Sequence, residues 1–143
     1  MGFSVDDPMD VLQRGLGLSF TPGGTLSGWG TADGVAHIGT TGIVYLEVEQ
    51  GQQHPDTNVL KYWPWIEERP DVRVTLIQVF GPWSSKRRGN RSELAKWVGA
   101  RMEASLPGRF RYCRLDLGFA EFDDQRSMTM NALTAMGHDL QEH

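Results

Sequence analysis

Ala32–Trp63, ADGVAHIGTTGIVYLEVEQGQQHPDTNVLKYW, decides how the rest of the chain is organised. Two short apolar runs flank Gly39-Thr40-Thr41-Gly42, a hairpin turn signal. Val35–Ile38 is the first strand and Ile43–Gln50 the second. Side chains two apart on a strand share a face. Glu47 and Glu49 therefore project together, while Val44, Leu46 and Val48 project the other way into a core. Two adjacent carboxylates repel, so the pair needs solvent, a proton or a cation between its members. A third acid, Asp33, can converge from the neighbouring strand. Such a trio is what a hard divalent cation prefers.

Downstream, Gly51–Pro55 is a loop. Asp56 or Thr57 caps a helix running to about Glu68, with Pro64 bending it or beginning a second turn. Val72–Phe80 (VRVTLIQVF) is apolar and β-branched, the pattern of a central strand. Pro82–Gly89 is a basic loop. Asn90 caps the next helix, with Glu93 completing a capping box. Leu94, Trp97, Val98, Arg101 and Met102 recur along that helix at helical spacing. Pro107-Gly108 stops it, and Arg109–Leu117 forms another strand. Upstream, Asp7-Pro8-Met9-Asp10 starts a helix that Gly15 and Gly17 end, and Gly-rich Thr21–Gly30 reads as a loop. Ser127–Leu140 is a final helix whose stripe of Met128, Ala132, Leu133, Met136 and Leu140 reads as core or oligomer contact. The order predicts an α/β fold, a mixed sheet of four or more strands flanked by helices.

One domain is expected over 1–143, with a core at about 7–117 and a helical extension over 120–143. An apolar content of 39% supplies one hydrophobic core. No apolar run reaches the roughly 20 residues that span a bilayer, so no membrane association is expected. The opening MGFSVDDPMD lacks the basic start and apolar stretch of a signal peptide, and a cytoplasmic location is the expectation. A single cysteine, Cys113, rules out an internal disulfide and reads as a structural thiol.

The net charge of −4 conceals a strong partition. Between Arg69 and Asp116, 11 Lys/Arg stand against 4 Asp/Glu; elsewhere the ratio is 3 against 14. A basic segment thus sits inside an acidic chain. One reading is an uneven solvated surface; the other is a phosphate-binding face beside an acidic metal pocket. Lys86, Arg87, Arg88 and Arg91 cluster where a helix begins, where cationic side chains and free backbone N–H groups can both meet phosphate.

Asp33, followed by Glu47-x-Glu49 at the end of an apolar strand, resembles the PD-(D/E)xK nuclease superfamily. LEVEQGQ followed by NVLKYWPWIEE is similar to small members of that group. The resemblance covers about Asp7 to Leu117 and implies a restriction endonuclease-like fold, with a helix directly after the strand that carries the motif. The third motif position usually holds Lys; here it holds Glu49. Some restriction enzymes of the superfamily carry Glu there. In others the lysine migrates to the next helix, a part that Lys61 can play, since Asn58, Lys61 and Trp65 share one helix face. No Pro precedes Asp33.

What the resemblance implies is Mg²⁺- or Mn²⁺-dependent phosphodiester hydrolysis of nucleic acid, with DNA as the expected substrate. Asp33 and Glu47 are then the metal ligands, joined by the Val48 carbonyl. Glu49 holds the attacking water or a second ion, Lys61 stabilises developing charge, and Gln53 positions water or phosphate. Two other readings stay open. In one the fold is kept as a catalytically inactive module for nucleic-acid binding or protein assembly. In the other the chain is a metal-independent structural protein whose Met and Trp stripes bury in partner subunits. A homodimer through the C-terminal stripe is a further expectation.

Overall fold

The hairpin and the two strands after it form one mixed sheet in the computed structural model, which describes residues 9–10, 13, 17–49, 54–80 and 91–116. Strands β1 (Thr21–Pro22), β4 (Gly34–Ile38), β5 (Gly42–Glu49), β6 (Arg73–Phe80) and β7 (Phe110–Asp116) lie in the order β1-β4-β5-β6-β7. β4 runs antiparallel to both β1 and β5, while β5, β6 and β7 run parallel. A parallel step requires a crossover. Helices α1 (Pro55–Leu60) and α2 (Tyr62–Glu67) supply the first, and α3 (Arg91–Ser105) lies in the second. The chain is therefore α/β, as its sequence predicts, and Val72–Phe80 is indeed interior to the sheet.

The hairpin register follows from a three-residue connection. Gly39 takes φ +62°, which a side chain would disfavour. Ile38 then pairs with Gly42 and Gly34 with Leu46. Asp33 precedes the first paired residue, and its N–H bonds to the Leu46 carbonyl, one residue off that register.

Both faces of the sheet are covered. Tyr45, Leu76 and Phe80 pack with Tyr62, Trp65, Ala95, Val98 and Met102 of the helices. Val44, Leu46, Val48, Ile77 and Val79 pack on the other face with Met9, Phe20 and Ala36. Double burial explains why β6 is apolar almost without alternation. Among the described residues, no helix is long and apolar enough to cross a membrane.

Several local expectations are corrected. The single helix after the motif strand is two short ones that break at Lys61. Pro64 lacks the N–H that would bond back to Leu60, so the ladder cannot run through. The first helix begins at Pro55, and its N-cap is His54, whose carbonyl accepts from the Thr57 hydroxyl at 2.7 Å. Neither Asp56 nor Thr57 is the cap. On α3 the buried residues are Ser92, Ala95, Val98, Gly99 and Met102. Leu94 and Trp97 are exposed, and Arg101 stacks 4.9 Å over the Trp97 ring. Gly99 lies against the Tyr112 ring, where a Cβ would come within 2.4 Å of it. Thr21–Gly30 is not a plain loop: it contributes β1 and, with Gly30–Thr31 (β3) pairing Thr25–Leu26 (β2), a small second sheet. Of the N-terminal helix, Met9, Asp10 and Gln13 are described, and all are helical. The 120–143 extension lies outside the described residues.

Candidate functional site

Asp33 stands where β4 stops and β5 continues. Its backbone N–H donates to the Leu46 carbonyl at 3.0 Å. Its carboxylate accepts from the Val48 N–H at 2.7 Å. The acid therefore ties the hairpin together at the point where Glu47 and Glu49 emerge on the helix-covered face.

Those two glutamates are buried, at 3% and 1% exposure. Buried carboxylates cost stability unless they are bonded, and both are. Glu47 accepts from the Tyr62 hydroxyl at 2.5 Å and pairs with the Lys61 ammonium at 2.9 Å. Glu49 accepts from the Asn58 amide at 2.6 and 3.1 Å and meets the Gln78 amide at 3.5 Å.

Lys61 reaches this cluster from the junction of α1 and α2, where its backbone keeps helical angles. Its ammonium also donates to the Thr31 carbonyl at 2.6 Å and to Asn58 Oδ1 at 3.3 Å. An ammonium only donates and a carboxylate only accepts, so Asn58 between Lys61 and Glu49 has a single consistent orientation. Asn58, Lys61 and both glutamates thus form one connected polar group.

Burial pushes the Glu47 carboxyl up to about 7, against the pull of Lys61 and the bond from Tyr62, and the nearby Asp33 charge adds to the rise. Burial also raises Glu49, opposed by its bond to Asn58, with Asp33 again adding to the rise. Burial and the adjoining Glu47 charge hold Tyr62 well above its ordinary range, which keeps it a donor. The Asp33 charge thus acts on both glutamates, of which Glu47 is paired with the Lys61 ammonium.

This donor set and its surplus negative charge suit a hard divalent cation. As the side chains stand, no three His, Cys, Asp or Glu groups among the described residues are gathered to hold a metal ion. The protein donors separate them: Glu47 turns to Lys61 and Tyr62, Glu49 to Asn58 and Gln78, and Asp33 to Val48.

Arg91 opens α3 exposed and lies 3.6 Å from Asp56, which is buried and whose Oδ1 has no hydrogen-bond partner among the described residues. Gln53, Lys86, Arg87 and Arg88 lie outside the described residues. Trp29 is 44% exposed and donates to Glu68 at 3.2 Å; Trp65 is core. Cys113 is a free thiol that burial pushes up to about 11. A cavity of about 280 Å³ lies elsewhere, at the start of the parallel strands, and Arg73, Arg109 and Arg111 line it. None of the three acids borders it.

Gln78, Tyr62 and Tyr112 escaped the sequence reading. Gln78 is fully buried, and its one available signal was an uncharged amide inside an otherwise apolar β-branched run. The two tyrosines resemble ordinary core aromatics until a partner for each hydroxyl is sought.

No protein family, curated protein or solved structure matches this chain.

Proposed function

We propose that the chain is a metal-dependent nuclease that hydrolyses phosphodiester bonds of nucleic acid, with DNA the leading substrate. The observation that carries the reading is Asp33 at the end of the hairpin, its carboxylate on the Val48 N–H between Glu47 and Glu49, with the Lys61 ammonium 2.9 Å from Glu47. The element order supports it: an antiparallel hairpin with the acids at its open end, then a helical crossover to a parallel strand. The PD-(D/E)xK resemblance implies that arrangement.

Asp33 and Glu47 would hold Mg²⁺ or Mn²⁺. The Val48 carbonyl would join them, since a strand residue's N–H and C=O project to the same edge and its N–H already faces Asp33. A bound cation of this kind supplies Lewis acidity, substrate alignment and a lowered water pKa. Glu49 holds the attacking water by accepting its proton side, while Asn58 fixes the carboxylate. Lys61 places positive charge at the phosphoryl oxygens as negative charge grows on them. Its ties to Thr31 and Asn58 limit the reorganisation this requires. Tyr62 keeps the Glu47 carboxylate aligned. Arg91 and the segment before it, with Lys86, Arg87 and Arg88, engage the phosphate backbone.

The test is incubation with single- and double-stranded DNA and RNA in Mg²⁺ or Mn²⁺. Cleavage is expected, and both Asp33→Ala and Glu47→Ala should abolish it. Cleavage that survives both changes rejects this site.

One observation favours a second reading. Each acid already has protein donors, and Glu49 occupies the usual lysine position, so the fold can serve as an inactive nucleic-acid-binding or assembly module. Nucleic-acid binding without Mn²⁺ uptake and without cleavage would favour it.

A further inference from the structure

Gln78 lies in the middle strand of the three parallel strands, beside Glu47 in the ladder, yet its side chain runs to the next acid. Its Nε2 donates to the Pro55 carbonyl at 2.9 Å and faces Glu49 Oε2 at 3.5 Å. Its Oε1 accepts from the Tyr112 hydroxyl at 2.6 Å. The opposite amide orientation would set Oε1 against a carbonyl and a carboxylate, both acceptors, so Pro55 decides which end faces Glu49. The Tyr112 hydroxyl is then committed as a donor. Tyr112 is itself located by Gly99 of α3: a Cβ there would lie 2.4 Å from the ring. A line of contacts therefore runs from Gly99 through Tyr112 and Gln78 to Glu49, and nothing in a simple packing role calls for an amide at its centre.

We propose that Gln78, oriented by Pro55 and Tyr112, is a positioning residue that presents an N–H to Glu49 and thereby tunes divalent-cation binding and water placement at the acidic site. The inference rests on the nuclease reading. Groups that orient a metal site's inner residues typically change metal affinity about 10–100-fold when removed.

The experiment measures Mn²⁺ binding to the full chain by electron paramagnetic resonance, with cleavage kinetics alongside. Gln78→Met preserves length and apolar packing while removing the amide. It should weaken Mn²⁺ binding about tenfold or more and lower kcat, with KM for nucleic acid kept within about twofold. Tyr112→Phe should shift both in the same direction by a smaller factor, because Pro55 still orients the amide. It decides the matter alone if Gln78→Met does not fold. Wild-type Mn²⁺ affinity and kcat in folded Gln78→Met, or failing that in Tyr112→Phe, would overturn the positioning role and leave the nuclease reading standing. A wild-type chain that takes up no Mn²⁺ would overturn both.

Discussion

At the scale of single residues, Glu47 concentrates the physics of the site. It sits 3% exposed between a phenol and an ammonium, with its carboxyl raised to about 7. An unfolded chain releases this proton near the ordinary glutamate value of 4.5, whereas the folded chain holds it until about 7. Between those values the folded state binds more protons, so in metal-free buffer the Glu47 contribution to stability is fully present below about pH 4.5 and is lost as pH rises through 7. The span corresponds to something on the order of 3 kcal/mol. Urea unfolding in chelator at both ends of this range should show that decline in the wild type and a shallower one in Glu47→Gln. Equal slopes would remove the assignment. Lys61 belongs to the same scale. Lys61→Met deletes the charge aimed at Glu47 while keeping the stem, and kcat for cleavage should fall by roughly 10²–10³. A rate within about threefold of wild type would mean that the ammonium only neutralises Glu47.

At the scale of elements, the break between α1 and α2 and the small-residue face of α3 matter most. Pro64 stops one helix from forming, and Lys61 at the junction is free to lean back over the end of β5. On α3, Ser92, Ala95 and Gly99 let the helix lie close to the sheet, and the Tyr112 ring fills the gap. Gly99→Ala would ordinarily stabilise a helix by up to about 1 kcal/mol. Here the added methyl meets a rigid ring, and overpacking of this kind costs about 1–3 kcal/mol. Thermal unfolding should therefore show a net loss of stability. A raised Tm would mean that the ring moves aside easily, and would weaken the proposed line from Gly99 to Glu49.

At the scale of the whole molecule, acidic groups end the hairpin while the Arg69–Asp116 segment carries the excess of basic residues. Nucleic-acid affinity should accordingly fall steeply with salt, because phosphate contacts release counterions. Fluorescence anisotropy between about 50 and 200 mM salt checks this, and an affinity indifferent to salt over that span contradicts a phosphate-binding face. The dimer remains a proposal, and sedimentation decides it: a monomer at high protein concentration removes the idea.

Period-two alternation, turn residues and β-branched runs are local signals, and they were sufficient for the mixed α/β class, the hairpin, and the shared face of Glu47 and Glu49. The lysine on the following helix was legible for the same reason, since spacing on a helix or strand sets direction without reference to the rest of the chain. Pro64 likewise marked an interruption of that helix, which falls at Lys61. Two things depended on contacts between distant segments. Leu94 and Trp97 turned to solvent while Val98 and Met102 were buried, a choice of helix face that packing against the sheet makes. Gln78 became part of the site only when the Pro55 carbonyl and the Tyr112 hydroxyl arrived from either side to orient its amide. Periodicity gives the direction in which a side chain leaves its own backbone; what it meets there is decided by packing among elements far apart in the chain.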